Sequence, residues 1–116
     1  MSKKILIIDD QPDILEVLRE ILELLGHEVT SEASGSCLNG KIDISEFDIV
    51  ITDYQMPDMT GVEIAKKIKR SAPEKKVYII SGYHQLLSEQ KMAECGIKGV
   101  LNKPFDLDQL KRILSE

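Results

Sequence analysis

Asp9 and Asp10 close a short apolar run, Ile5 to Ile8, and Asp53 closes a second, Ile49 to Thr52. If both runs are neighbouring parallel strands, three carboxylates converge at one edge of one sheet. Like charges brought within a few ångströms repel, and they demand either a proton or a cation. A hard divalent ion, Mg²⁺ or Mn²⁺, relieves that repulsion through one or two carboxylates, waters and commonly a phosphate oxygen. The edge therefore reads as a phosphate-handling metal site. Taken singly, each acid also fits a structural role, ending a strand in a polar loop or, for Asp10, capping the next helix. That role does not explain three acids accompanied by a hydroxyl and an amine. Ser81 ends a fourth apolar run, and Lys103-Pro104 ends a fifth.

The elements that must position these groups follow from the hydrophobic pattern. Strand-length apolar runs at 4 to 9, 28 to 33, 48 to 53, 76 to 81 and 98 to 102 alternate with segments of helical period. Such alternation predicts an α/β fold, a parallel sheet with helices on both faces. The first and third runs are nearly continuous in Ile, Leu and Val, as expected of central strands buried on both sides. Glu28 to Ala33 mixes polar and apolar residues and reads as an edge. Ile14, Val17, Leu18, Ile21, Leu22 and Leu25 recur at spacings of three and four, giving a helix that Pro12 opens and Gly26 ends. Gly61 to Arg70 is a second helix, stopped by Ser71-Ala72-Pro73. Segment 84 to 95 is a third. Asp106 is the expected N-cap of a last helix whose Leu107, Leu110, Ile113 and Leu114 face inward. Segment 35 to 46 holds Gly35, Gly40 and few apolar anchors, so only a short or irregular helix is expected there. Five alternating strands suggest the doubly wound, flavodoxin-like order 2-1-3-4-5, whose ligands sit at the switch point between strands one and three.

Composition narrows the function classes. A chain of 116 residues fits one domain, and 42% hydrophobic with 30% charged residues is the balance of an ordinary globule with a real core. A net charge of -5, with Lys and Arg interleaved among Asp and Glu, argues against direct nucleic-acid binding. Cys37 and Cys95 have no metal-ligand spacing, which points to a reducing, cytoplasmic setting. No run approaches the roughly 20 apolar residues that span a bilayer, so no membrane partner is expected. His27 and His84 read as surface residues, and Cys95 as packing a helix end against the core.

The spaced set Ile7-Ile8-Asp9-Asp10, Asp53-Tyr54-Gln55-Met56-Pro57 with Gly61, Ser81-Gly82 and Asn102-Lys103-Pro104-Phe105 resembles the receiver domain of two-component response regulators across essentially the whole chain. The resemblance implies that Asp53 accepts a phosphoryl group from a histidine kinase or phosphotransfer protein in a Mg²⁺-dependent reaction. It implies Asp10, Asp53 and the Gln55 backbone carbonyl as metal ligands, with Asp9 acting through water. Lys103 and Ser81 would bind phosphoryl oxygens. Ser81 would also be the switch, moving inward to reach the phosphoryl group and altering the face formed by residues 84 to 116, where a downstream effector binds. Pro57, Gly61 and Pro104 would shape loops, the last through a cis Lys103-Pro104 peptide. Such a domain promotes its own phosphorylation and dephosphorylation and is not a multiple-turnover enzyme. The chain would hold one receiver domain, 1 to 116, without an output domain. It would be a monomer by default, with phosphorylation-dependent dimerisation through the last two helices as the alternative.

Two positions depart from the family pattern. Many members carry Tyr or Phe three residues before the lysine, where this chain has Val100. An aliphatic side chain cannot make the aromatic reorientation, and Tyr83 is the candidate substitute in the switch. A phenol at 83, opposite Gln55, is also expected to obstruct hydrolytic water and lengthen the acyl phosphate's lifetime. Two other classes compete: a Mg²⁺-dependent phosphohydrolase, disfavoured by the absence of a cap segment, and a phosphorylation-independent receiver-like interaction domain, to which Val100 lends slight support.

Overall fold

The computed structural model describes residues 2–81, 88–102 and 107–115. Its strands are β1 (Lys4–Ile8), β2 (Glu28–Glu32), β3 (Ile49–Asp53), β4 (Lys76–Ser81) and β5 (Ile97–Asn102), and its α-helices are α1 (Pro12–Leu24), α2 (Gly61–Ser71), α3 (Glu89–Cys95) and α4 (Leu107–Leu114). All pairings are parallel, in the order β2-β1-β3-β4-β5. The fold expected from the alternation is the one found.

Side-chain alternation sends the central strands into two cores. Ile5, Ile7, Ile49, Ile51 and Ile80 meet Leu18 and Leu22 of α1 and Leu110 and Ile113 of α4 on one face. Leu6, Ile8, Val50 and Ile79 meet Ile64, Ala65 and Ile68 of α2 and Cys95 on the other. Full burial of an aliphatic side chain contributes about 1.5–3 kcal/mol, so β1 and β3, buried on both faces from Ile5 to Ile8 and throughout β3, are the stable axis of the sheet. β2 lies at the edge, as its mixed pattern requires.

Local chemistry explains the helix ends. Pro12 occupies the first turn of α1, and Gly26 follows its C-terminus at φ 91°, where a side chain would be strained. Thr60 and Glu63 form a reciprocal capping box at α2, a signal absent from the expectation above. Ser88 caps α3, and Gly96 ends it in the left-handed region. There the Lys69 ammonium donates to the carbonyls of Ala93 and Glu94 at 3.3 and 2.8 Å.

Several expectations need correction. The strands at 4 to 9, 28 to 33 and 48 to 53 are each one residue shorter at one end, and the last begins at Ile97. Val17 is 46% exposed, so it leaves the buried stripe of α1, and Leu107 is 45% exposed rather than inward-facing. Both stand at the margin of an apolar arc wider than the contact it makes. Segment 35 to 46 is two 3₁₀ turns, Gly35–Leu38 and Ile44–Glu46. It is better anchored than its composition suggested: Cys37 is buried, and Leu38, Ile42 and Ile44 pack against the α2-side core. His27 is half-buried, and its Nδ1 accepts the Lys3 amide at 3.0 Å. Burial and the nearby Lys3 charge lower its pKa. The α3 expectation is met from Glu89 to Cys95. Asp106, His84, Leu86 and Leu87 lie outside the described residues.

Candidate functional site

Register brings the acids together. Ile8 of β1 pairs with Thr52 of β3, so Asp9 and Asp53 are consecutive on adjacent strand ends, with Asp10 beyond them. One carboxylate oxygen from each of Asp9, Asp10 and Asp53 lies within 4.8 Å of the others. Asp9 is fully buried and Asp53 8% exposed, while Asp10 faces solvent. Two full charges at such a separation repel by roughly 3 kcal/mol at an effective dielectric near 20, less where one is exposed. The donors are all hard oxygens, and the set opens to water on the Asp10 side. Mg²⁺ or Mn²⁺ fits that chemistry, leaving positions for waters and a phosphoryl oxygen.

The backbone holds these groups. Asp9 Oδ1 accepts the Gln11 amide at 2.9 Å, which turns the chain into α1, and the N-cap residue is Gln11 rather than Asp10. The capping role therefore does not account for Asp10. Asp53 Oδ1 accepts the Tyr54 amide at 2.9 Å, while the Thr52 hydroxyl donates to the Asp53 carbonyl at 3.2 Å. Neither constraint was visible in the sequence, because each depends on where the strand ends.

The loop between β3 and α2 closes on itself. Gln55 is exposed and forms an isolated antiparallel bridge with Thr60, and the Gly61 amide donates to the Tyr54 carbonyl at 2.7 Å. Pro57 lies in the exposed turn of this loop. Its neighbour Asp58 accepts a hydrogen bond from Ser34, a tether no spacing in the sequence announced. Ser81 ends β4, buried, and its Cα partner is Asn102 at the end of β5. Val100 is 36% exposed on β5. Lys103, Pro104 and Tyr83 lie outside the described residues, as does the Lys103-Pro104 peptide.

A model of the response regulator receiver domain matches residues 5–115. The chain belongs to that family. The receiver is 36% identical over 110 residues to the DNA-binding transcriptional regulator NtrC of Azospirillum brasilense, covering 95% of this chain and 23% of NtrC. It is 32% identical over 111 residues to sporulation initiation phosphotransferase F of Bacillus subtilis, covering 96% of this chain and 90% of that protein. The receiver thus spans less than a quarter of one relative and most of the other. The response regulator TrrA from Thermotoga maritima, solved in complex with Mg²⁺-BeF, superposes with a TM-score of 0.86 at 30% identity, covering 97% of this chain and 96% of that one. Among the described residues, no helix of the receiver is long and apolar enough to cross a membrane.

Proposed function

We propose that this receiver takes a phosphoryl group onto Asp53 from a phosphohistidine of a histidine kinase or phosphotransfer protein and signals through the consequence. The observation that carries the reading is the convergence of Asp9, Asp10 and Asp53 at the switch point of the sheet. A carboxylate oxygen of Asp53 attacks phosphorus in line; the new O–P bond forms as the N–P bond to the donor imidazole breaks, and the imidazole leaves with the electron pair. A carboxylate is a weak nucleophile, so the rate depends on position and on neutralised charge. Asp10, Asp53 and the Gln55 carbonyl would hold Mg²⁺ or Mn²⁺, with Asp9 acting through water. Bound there, the ion supplies charge neutralisation to the phosphoryl oxygens. Lys103 holds one phosphoryl oxygen as a compact point charge, and Ser81 donates to another. Acyl-phosphate formation and its hydrolysis are single events on the domain's own carboxylate rather than turnover of a small substrate.

The donor imidazole reaches Asp53 from the side on which Asp10 faces solvent. The output is the face of residues 84 to 116, which a downstream effector contacts, and phosphorylation can also favour self-association there. With Val100 in place of an aromatic, Tyr83 carries the motion of the loop after Ser81 and obstructs hydrolytic water. One receiver domain in a cytoplasmic setting accounts for residues 1 to 116.

Intact mass after incubation with acetyl phosphate tests this. We expect one phosphoryl addition that requires Mg²⁺ and is absent from Asp53→Asn. No addition to the native chain would replace this reading with the phosphorylation-independent interaction domain.

A further inference from the structure

Gly61 opens α2, yet its backbone is outside the left-handed region that only Gly26, Gly40 and Gly96 occupy among the described glycines. Conformation therefore does not demand glycine there; space does. A Cβ at this position would lie well under 3.0 Å from the carbonyl oxygen of Asp53, 3.2 Å from the carbonyl carbon and 2.8 Å from Ile79 Cδ1. The side chain of Ile79 can rotate away. The carbonyl belongs to the backbone of the nucleophile and has no such freedom.

That peptide is pinned from both sides. Its carbonyl accepts from Thr52 Oγ1, and its N–H, that of Tyr54, donates to the Ile80 carbonyl at 2.9 Å and to Asp53 Oδ1. Any displacement of the carbonyl rotates the peptide plane, and the N–H that orients the carboxylate rotates with it. The Gly61 amide, bonded to the Tyr54 carbonyl at 2.7 Å, prevents α2 from simply backing away.

We propose that Gly61 is a positioning residue for phosphoryl transfer, acting through the Asp53–Tyr54 peptide against which the first turn of α2 is seated. The inference rests on the phosphoacceptor reading of Asp53 and extends it to a residue that touches no substrate. A misplacement near 1 Å costs an in-line reaction about 10²-fold.

The test compares the native chain, Gly61→Ala and Gly61→Ala/Ile79→Val. Phosphorylation is timed by intact mass at saturating Mg²⁺ and acetyl phosphate, per folded molecule, alongside urea midpoints and metal-free amide NMR spectra. Ile79→Val removes the steric conflict that bears on stability but leaves the one that bears on the nucleophile. We expect the double variant to regain part of the urea midpoint while its saturated rate stays about 10²-fold down, with the Asp53 and Tyr54 amide resonances shifted and those of β1 in place. A saturated rate within about twofold of native would overturn the inference, since a merely structural glycine changes the folded fraction and not the rate. Failure of both variants to fold would overturn it too, by assigning Gly61 to folding alone. A native chain that gains no phosphoryl group would instead sink the phosphoacceptor reading itself.

Discussion

Two crossovers run over the same face of the sheet, and they are built on different principles. Residues 54–75, from β3 to β4, form a capped helix with Ile64, Ala65 and Ile68 buried in the core. Residues 33–48, from β2 to β3, form two 3₁₀ turns held to their surroundings by polar tethers: Ser34 to Asp58, Lys41 to Glu32 at 2.9 Å, Lys67 to Asn39 at 3.0 Å and Lys75 to the Ser45 carbonyl at 3.1 Å. Exposed tethers of this kind, in contact with water, add little to stability, whereas full burial of an aliphatic side chain contributes about 1.5–3 kcal/mol. The helical crossover carries the stability on this face and fixes the loop that follows Asp53; the turned crossover adapts to it. A 310 Å³ cleft lined by Leu38, Ile42, Ile44, Lys67 and Ile68 lies where the two meet.

The widest gap between the crossovers is expected on cavity formation. Ile64→Ala should cost about 2–5 kcal/mol in urea unfolding, and Ile42→Ala, half-buried beside the cleft, less than half as much. Equal losses would mean that the turned crossover is as much a part of the core as α2.

Titration should sharpen the contrast next, because Cys37 is a titratable group buried between the tethers. Burial, reinforced by the Glu32 charge, pushes its thiol from 9.0 up to about 11. A thiol whose folded pKa exceeds its unfolded one contributes stability that is complete below pH 9 and is lost as pH rises from 9 through about 11. The urea midpoint of the native chain should therefore fall over that window more steeply than that of Cys37→Ala. Parallel curves would show that the turns around Cys37 open before the thiol ionises.

Capping gives the smallest separation. Thr60→Ala removes half of the box at α2 and should cost about 1 kcal/mol. Ser34→Ala should stay within about 0.5 kcal/mol of native while accelerating amide exchange at Ser36 and Asn39, whose N–H bonds depend on that turn. A global loss from Ser34→Ala matching that from Thr60→Ala would erase the distinction.

The legibility of each crossover follows the same division. α2 is legible because burying one face of a helix imposes a period on the residues themselves, and that period is local. The turned crossover reads as poor in anchors because Leu38, Ile42 and Ile44 obey no period; their partners come from α2 and β3, far along the chain. Val17 and Leu107 mislead for the converse reason. They fit the period, but nothing in the described structure covers them.

What the sequence by itself determined is the set of strands, the parallel α/β class that their alternation with helices implies, and the acids at strand ends, since side-chain type and short-range period are properties of the chain alone. The tertiary structure decided the rest: that Ile8 pairs with Thr52 and so brings three carboxylates within 4.8 Å, that Ser34 reaches Asp58, and that Gly61 lies against the carbonyl of Asp53. Those are distances between residues remote in sequence, set by sheet register and by how closely a helix can approach a strand, and no local pattern encodes them.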